Sequence, residues 1–126
     1  MSETTLPGGD RPATAGGLSA EDAKLVTLAR AARARTGAVE GAAVRDGDGR
    51  TYAGTNVHLP SLSLSALQLA TASAVVGGAD VIEAAAVVTE ASTLDGAGRA
   101  AVRDVSAHAP IHLASPTGVV LGTFND

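Results

Sequence analysis

The chain contains no cysteine. This absence excludes disulfide bonds, thiolate nucleophiles and every zinc site that is ligated by cysteine. Aromatic residues make up only 2% of the 126 residues, whereas apolar residues make up 45%. The core must therefore be built from Ala, Val, Leu and Ile. Because such side chains bury little area each, the composition favours oligomerisation as added support.

Basic residues are also scarce, since 9 Lys and Arg face 13 Asp and Glu and give a net charge of −4. Neutralisation of phosphates by Lys and Arg dominates nucleic-acid binding, so we expect no nucleic-acid partner. No run approaches the roughly 20 apolar residues of a membrane span, and the N-terminus lacks the basic-then-apolar plan of a signal peptide. We therefore expect a soluble cytoplasmic protein with no membrane partner.

The pattern along the chain predicts a single α/β domain over residues 18–126. The preceding residues 1–17 are polar and rich in Gly, Pro and Thr, which is typical of a disordered tail. The predicted order is α-β-β-α-β-α-β-β, and two strands linked through a helix imply a parallel crossover. The first predicted elements are a helix from Ser19 to Gly37, strands 41–45 and 50–54 around an Asp46–Gly49 turn, and a loop over 55–62. They are followed by a helix capped by Ser63 or Ser65 and ending at Gly77–Gly78, a buried strand 81–90, a helix 97–107, and strands 110–115 and 119–123.

The stretch LDGAGR, residues 94–99, lies between a predicted strand and a predicted helix. It nearly matches the glycine fingerprint of dinucleotide-binding folds. That fingerprint belongs to the first strand–helix turn and needs an acidic residue about 20 positions later, which is missing here. The simpler interpretation is that Asp95 caps the following helix and that the glycines permit a tight turn.

The three histidines, His58, His108 and His112, do not form a recognisable site. His108 and His112 are four residues apart, but Pro110 between them breaks the helix that would align them. A Ser–His–Asp triad could be drawn from His58, Asp95 and one of the serines Ser61, Ser63 and Ser65. No nucleophile elbow accompanies it. Arg30, Arg33 and Arg35 are typical of a helix end that is stabilised by the helix dipole.

The stretch GAAVRDGDGRTYAGTNV resembles the start of the small cytidine deaminases. That family shows V-G-A-A-L, a D-G turn and Y-x-G-x-N-x-E-N, followed by C-A-E at one helix and P-C-G-x-C-R at the next. In a gapless register Asn56 falls on the family asparagine, and LDGAGR falls on P-C-G-A-C-R with Gly96 and Arg99 identical. The resemblance covers roughly residues 22–123. It implies a three-layer cytidine deaminase-like fold with a mixed five-stranded sheet, and a homotetramer.

The chemistry of the resembling family does not transfer to this chain. In the family, cysteines hold a zinc ion that activates water, and a glutamate shuttles protons. The three ligand positions here are Leu67, Asp95 and Gly98, and the glutamate position is Leu69. Leucine and glycine side chains cannot bind zinc, and leucine cannot transfer a proton. We therefore expect no metal and no cofactor, and we expect Leu67 and Leu69 to fill the vacated pocket.

Four interpretations of function remain open at this point. The first is a catalytically inactive, structural, interaction or regulatory homo-oligomer (tetramer or dimer), with an unknown protein partner in addition. The second is a nucleoside- or nucleotide-binding module in which Asn56, His58 and Arg99 line a remnant substrate pocket. The third is an enzyme that acts through His58 and Asp95. The fourth is a cytidine deaminase by family inheritance alone, an activity that the residues at the ligand and glutamate positions do not support.

Overall fold

The computed structural model describes residues 17–126. The predicted tail therefore lies outside the described residues, except for Gly17. Within the described part, no helix is both long and apolar enough to cross a membrane. The elements, in chain order, are α1 (Ala20–Thr36), β1 (Gly41–Asp46), β2 (Thr51–Thr55), β3 (Val57–Leu59), β4 (Leu62–Leu64), α2 (Ala66–Val76), β5 (Ile82–Val88), α3 (Gly96–Val105), β6 (Ile111–Ala114) and β7 (Val120–Phe124).

Helix α1 begins and ends at the residues that its sequence indicates. The Ser19 hydroxyl oxygen accepts a hydrogen bond from the Asp22 amide at 3.1 Å, which satisfies one free donor at the helix start. Gly37 ends the helix at φ 66°, a left-handed conformation that glycine adopts without strain. Leu25, Val26 and Ala29 are buried on one face of the helix, so α1 lies against the sheet through that face.

The five-stranded sheet has the order β2-β1-β5-β6-β7 and is mixed, as predicted. Strands β5 and β6 are parallel and are joined through α3, whereas the other neighbouring pairs are antiparallel. Strand β5 is buried except at Glu83, because helices cover both faces of the sheet. The first face packs on α1, and the second packs on α2 and α3, which gives the predicted three layers.

The predicted loop over residues 55–62 is wrong in part. Residues 57–59 and 62–64 instead form a small antiparallel hairpin, β3–β4, in which His58 pairs with Ser63. Each strand has only three residues, and an alternation of apolar and polar residues cannot be recognised over so short a segment. The helix that follows is capped by Ser65, as one of the two predicted candidates.

Close approach of α2 to β2 positions the start of α2. A Cβ atom on Gly54 would lie 2.9 Å from the Ala70 amide nitrogen and 3.1 Å from the Ala66 carbonyl oxygen, so a side chain here would require the strand or the helix backbone to shift. Glycine at this position therefore lets the helix backbone rest directly on the strand. The beginning of α2 is thereby held beside the residues that link β2 to β3.

Candidate functional site

An open cleft of about 740 Å³ lies where α2 and α3 begin. Four parts of the chain contribute side chains to it: the residues before β1, the β2–β4 region, the first turn of α2 and the first turn of α3. The N-termini of α2 and α3 both open onto this space. Each helix N-terminus carries a partial positive charge from the helix dipole. The polar side chains that line the cleft are Glu40, Asn56, His58, Ser63, Ser65, Gln68 and Asp95.

A capping box fixes the α2 side of the cleft. The Ser65 hydroxyl oxygen accepts from the Gln68 amide at 3.1 Å, and the Ser65 amide donates to Gln68 Oε1 at 2.9 Å. These reciprocal bonds satisfy two backbone donors at the start of the helix. They also fix the orientation of both side chains at the wall of the cleft.

Asp95 caps α3, as the sequence predicts. One carboxylate oxygen of Asp95 accepts a hydrogen bond from the Gly98 amide at 2.7 Å. The negative charge of Asp95 lies at the positive end of the helix dipole, and this interaction stabilises the helix and the ionised carboxylate. LDGAGR is thus a strand–helix turn whose own aspartate satisfies the helix end.

Asn56 ties the cleft to the start of β1. Its side-chain oxygen accepts a hydrogen bond from the Glu40 amide at 2.9 Å. The side-chain nitrogen of an asparagine carries two donors, so this residue can serve both the backbone and a ligand. His58, an exposed residue of β3, also lines the cleft. Asn56, His58 and Asp95 therefore line the same cleft.

Glu40 is a residue of the cleft that the sequence analysis missed. Burial raises the pKa of its carboxyl group, and the nearby charge of Asp95 raises it further, against smaller opposing effects of Thr89 and the Ala66 backbone. The strand topology could have indicated that Glu40 lies near Asp95. Strand β1 runs antiparallel to β5 with Gly41 opposite Val88, so the residue before β1 lies at the end of β5, where the chain leads to Asp95.

Arg99 does not lie in the cleft, contrary to the sequence-based expectation. Its guanidinium carbon is 5.1 Å from the centre of the Phe124 ring, and the group pairs with the Asp126 carboxylate. Arg99 is one turn further along α3 than Asp95, and its side chain is directed toward the end of β7. In this chain Arg99 therefore links α3 to the residues at the C-terminal end of β7.

The comparisons with known proteins agree with this architecture. A family model described as cytidine deaminase-like matches residues 18–118. The chain belongs to the cytidine deaminase-like family. No curated protein matches the sequence.

Solved structures of the family are similar over most of their length. The cytidine deaminase from Burkholderia pseudomallei has a TM-score of 0.73 and 26% identity, covering 86% of this chain and 93% of that one. The fold is also similar to that of the cytidine deaminase from Mycobacterium leprae, with a TM-score of 0.62, 22% identity, and 81% and 90% of the chains covered. A mutant cytidine deaminase from Mycobacterium tuberculosis has a TM-score of 0.60 and 24% identity, covering 77% and 86%.

The positions that the gapless register assigns to zinc ligands are packed against one another. Leu67 is 1% exposed and belongs to the hydrophobic core. A Cβ atom on Gly98 would lie 2.6 Å from Leu67 Cβ and 2.6 Å from the Asp95 carboxylate. Real Cβ atoms are essentially never closer than 3.0 Å to another atom, so a side chain at Gly98 requires the backbone to shift.

These residues do not fit a zinc ion. Leu67 and Gly98 offer no donor atom, and the Asp95 carboxylate is engaged with the Gly98 amide at 2.7 Å. Within residues 17–126 there is no group of three or more His, Asp or Glu side chains that could hold a metal. A reaction step that passes through a bound metal therefore has no support from these side chains.

Leu69 does not share the pocket of Leu67, contrary to our expectation. Residues two apart on a helix lie on different faces, so the two leucines cannot fill one space. Leu69 is half-buried, and its Cβ lies 3.2 Å from the place of a Cβ on Gly54, which puts it beside β2. Of these two leucines, Leu67 is the one that packs beneath the start of α3.

Proposed function

We propose that this member of the cytidine deaminase-like family does not catalyse zinc-dependent deamination and acts as a structural or regulatory protein. The observation that carries the proposal is the packing of Leu67 against Gly98 beneath the Asp95 cap. Interiors are close-packed, and removing a metal without refilling its site would leave a costly void. Leu67 is 1% exposed, which supports the view that hydrophobic core packing has replaced the metal site.

Metal content and deamination activity test this proposal together. We expect the purified protein to contain substoichiometric zinc by plasma mass spectrometry, and to release no uridine from cytidine above background. The Burkholderia pseudomallei cytidine deaminase, assayed at equal concentration, is the positive control. One zinc per chain together with steady turnover of cytidine would refute the proposal.

A second candidate function, binding of a nucleoside, is favoured by the cleft itself. A space of about 740 Å³ is within the usual range for small-molecule sites, and Asn56, Gln68 and Ser65 offer fixed polar groups at its wall. Among the residues that line the cleft, the carboxyl groups belong to Glu40 and Asp95, and none is Arg or Lys. Since carboxylates repel phosphate, the cleft favours a neutral nucleoside over a nucleotide.

Thermal-shift measurements with nucleosides separate the two candidates. A ligand that binds only the folded state raises the melting temperature, and cytidine should raise it more than cytidine monophosphate. His58→Ala should weaken the shift, whereas His108→Ala, another exposed histidine outside the cleft, should not. If neither compound shifts the melting temperature at millimolar concentration, the binding candidate is wrong and the first proposal is unaffected.

Self-association is part of the first proposal. Val39, Leu59 and Leu62 are 67%, 55% and 48% exposed, and they lie at or beside the cleft. A second copy of the chain would cover these exposed apolar side chains and remove them from water. Light scattering coupled to size-exclusion chromatography should give a mass of two or four chains, and a strict monomer at micromolar concentration would contradict this.

A further inference from the structure

A buried histidine lies on the α1 face of the sheet, outside the cleft residues. His112, on β6, is 3% exposed, and both of its ring nitrogens have hydrogen-bond partners. Nδ1 lies 2.8 Å from Thr123 Oγ1, and Nε2 lies 2.8 Å from Asp22 Oδ2. The pairing of β6 with β7 sets His112 directly opposite Thr123, and the first turn of α1 brings Asp22 to the other side of the ring.

The partners determine the tautomer of the neutral imidazole. A carboxylate only accepts hydrogen bonds, so Nε2 carries the proton and donates it to Asp22. Nδ1 is then an acceptor, and the Thr123 hydroxyl donates to it. Arg45 holds the other oxygen of Asp22 at 2.9 Å, and Glu83 holds Arg45 at 3.0 Å, so the carboxylate is fixed in place.

The three residues have the arrangement of a nucleophile, a base and a positioning acid. The hydroxyl lies within reach of the base, and the base is oriented by a third group. Thr123 is exposed on β7, which is an edge strand, whereas His112 is shielded from water. Leu121, two residues earlier, is 55% exposed and offers an apolar surface beside the hydroxyl.

We propose that Thr123 accepts an acyl group from activated esters, with His112 as general base and Asp22 as a positioning residue. The Thr123 oxygen attacks the ester carbonyl carbon while its proton passes to His112 Nδ1. The new carbon–oxygen bond forms, the bond to the leaving oxygen breaks, and the leaving oxygen takes up the proton from the imidazolium. The products are a threonine ester and an alcohol or phenol, with no change of oxidation state.

Acetylation by 4-nitrophenyl acetate, followed by peptide mass mapping, tests this proposal on the full chain. We expect a stable acetyl ester on Thr123 and none on Thr117, an exposed threonine whose hydroxyl contacts Ser115 rather than a histidine. Lys24, the single lysine of the sequence, is exposed and serves as an internal reference for reagent delivery. Acetyl groups on exposed histidines hydrolyse and do not accumulate.

Variants then separate general-base assistance from simple exposure. Thr123→Val should abolish the modification, Thr123→Ser should retain it, and His112→Gln should lower its rate relative to Lys24 about 100-fold or more, as expected for loss of a general base. Asp22→Asn should slow the modification and Asp22→Glu should restore part of it, with circular dichroism verifying the fold.

Two results would overturn the proposal. The first is acetylation of Thr123 no faster than that of Thr117 in the unaltered chain, a comparison that needs no variant to fold. The second is an unchanged rate at Thr123 in a folded His112→Gln protein.

Discussion

Leu67 lies directly beneath Gly98, where a Cβ on the glycine would be 2.6 Å from Leu67 Cβ. The glycine is therefore required by the leucine, and the two form one packed unit at the start of α3. Neither residue has a donor atom for a metal. Their contact joins α2 to α3 at the position where the resemblance would place a metal.

Gly98→Ala should destabilise the protein by about 1–3 kcal/mol, the usual cost of overpacking a core. Gly96→Ala is the matched control, because Gly96 lies in the same helical turn and has nothing within 4 Å of its added Cβ. It should leave the free energy of unfolding unchanged or raise it by at most about 1 kcal/mol. Urea unfolding measures both, and equal effects of the two substitutions would contradict a close contact between Gly98 and Leu67.

Asp95→Ala should cost about 1 kcal/mol, because the Gly98 amide loses its partner at the start of α3. Asp95→Asn should keep most of the stability, since its side-chain oxygen can accept the same bond. The Asn variant also removes a negative charge near Glu40, so the pKa of Glu40 should fall. Carbon-detected NMR titration of the Glu40 carboxyl measures this shift. An unchanged pKa would show that Asp95 does not act on Glu40.

Glu40→Gln should stabilise the protein at neutral pH and have no effect in acid. The folded-state pKa of Glu40 is raised, so the folded state binds more protons than the unfolded state across that window. The stability of the unaltered protein therefore falls as the pH rises from the ordinary Glu value through the folded value. Thermal melts at several pH values test this, with Glu90→Gln, at an 80% exposed side chain, as the control. A stabilisation that persists at low pH would have another cause.

Tyr52→Phe should make the protein unfold at a higher pH on acidification. Burial tends to raise the pKa of Asp46, but hydrogen bonds from the Tyr52 hydroxyl at 2.8 Å and from the Arg50 and Asp48 amides lower it overall. A lowered pKa gives stability that is present above the unfolded value and lost as the pH falls through the folded value. Removing the hydroxyl raises that folded value. An acid-unfolding midpoint identical to that of the unaltered chain would contradict this account.

The fold was largely predictable because short-range chemistry marks most element ends. Ser19, Ser65 and Asp95 cap the three helices, and Gly37 ends the first. Local sequence cannot specify the order of strands in the sheet, since pairing is a long-range choice. The β3–β4 hairpin was missed because three-residue strands leave too little pattern to detect.

The sequence predicted residues of the cleft only where a recognisable sequence motif contains them. Asn56, His58 and Asp95 line the cleft, whereas the Arg99 side chain lies against the Phe124 ring. The contact of Arg99 depends on where the C-terminal strand lies, and a local motif does not specify that position. Glu40 has no motif at all, and only the register of β1 against β5 brings it to Asp95. His112 was predicted to lie on a strand, yet its contacts with Asp22 and Thr123 depend on two other elements.

Both helices that open onto the cleft begin on side chains of this chain itself. The capping bonds of Ser65 and Asp95 join atoms of the polypeptide alone. In a domain organised by a bound ion, by contrast, binding of that ion supplies part of the folding free energy, and removal of the ion destabilises the fold. The start of each helix here is instead stabilised by the side chain of its own capping residue.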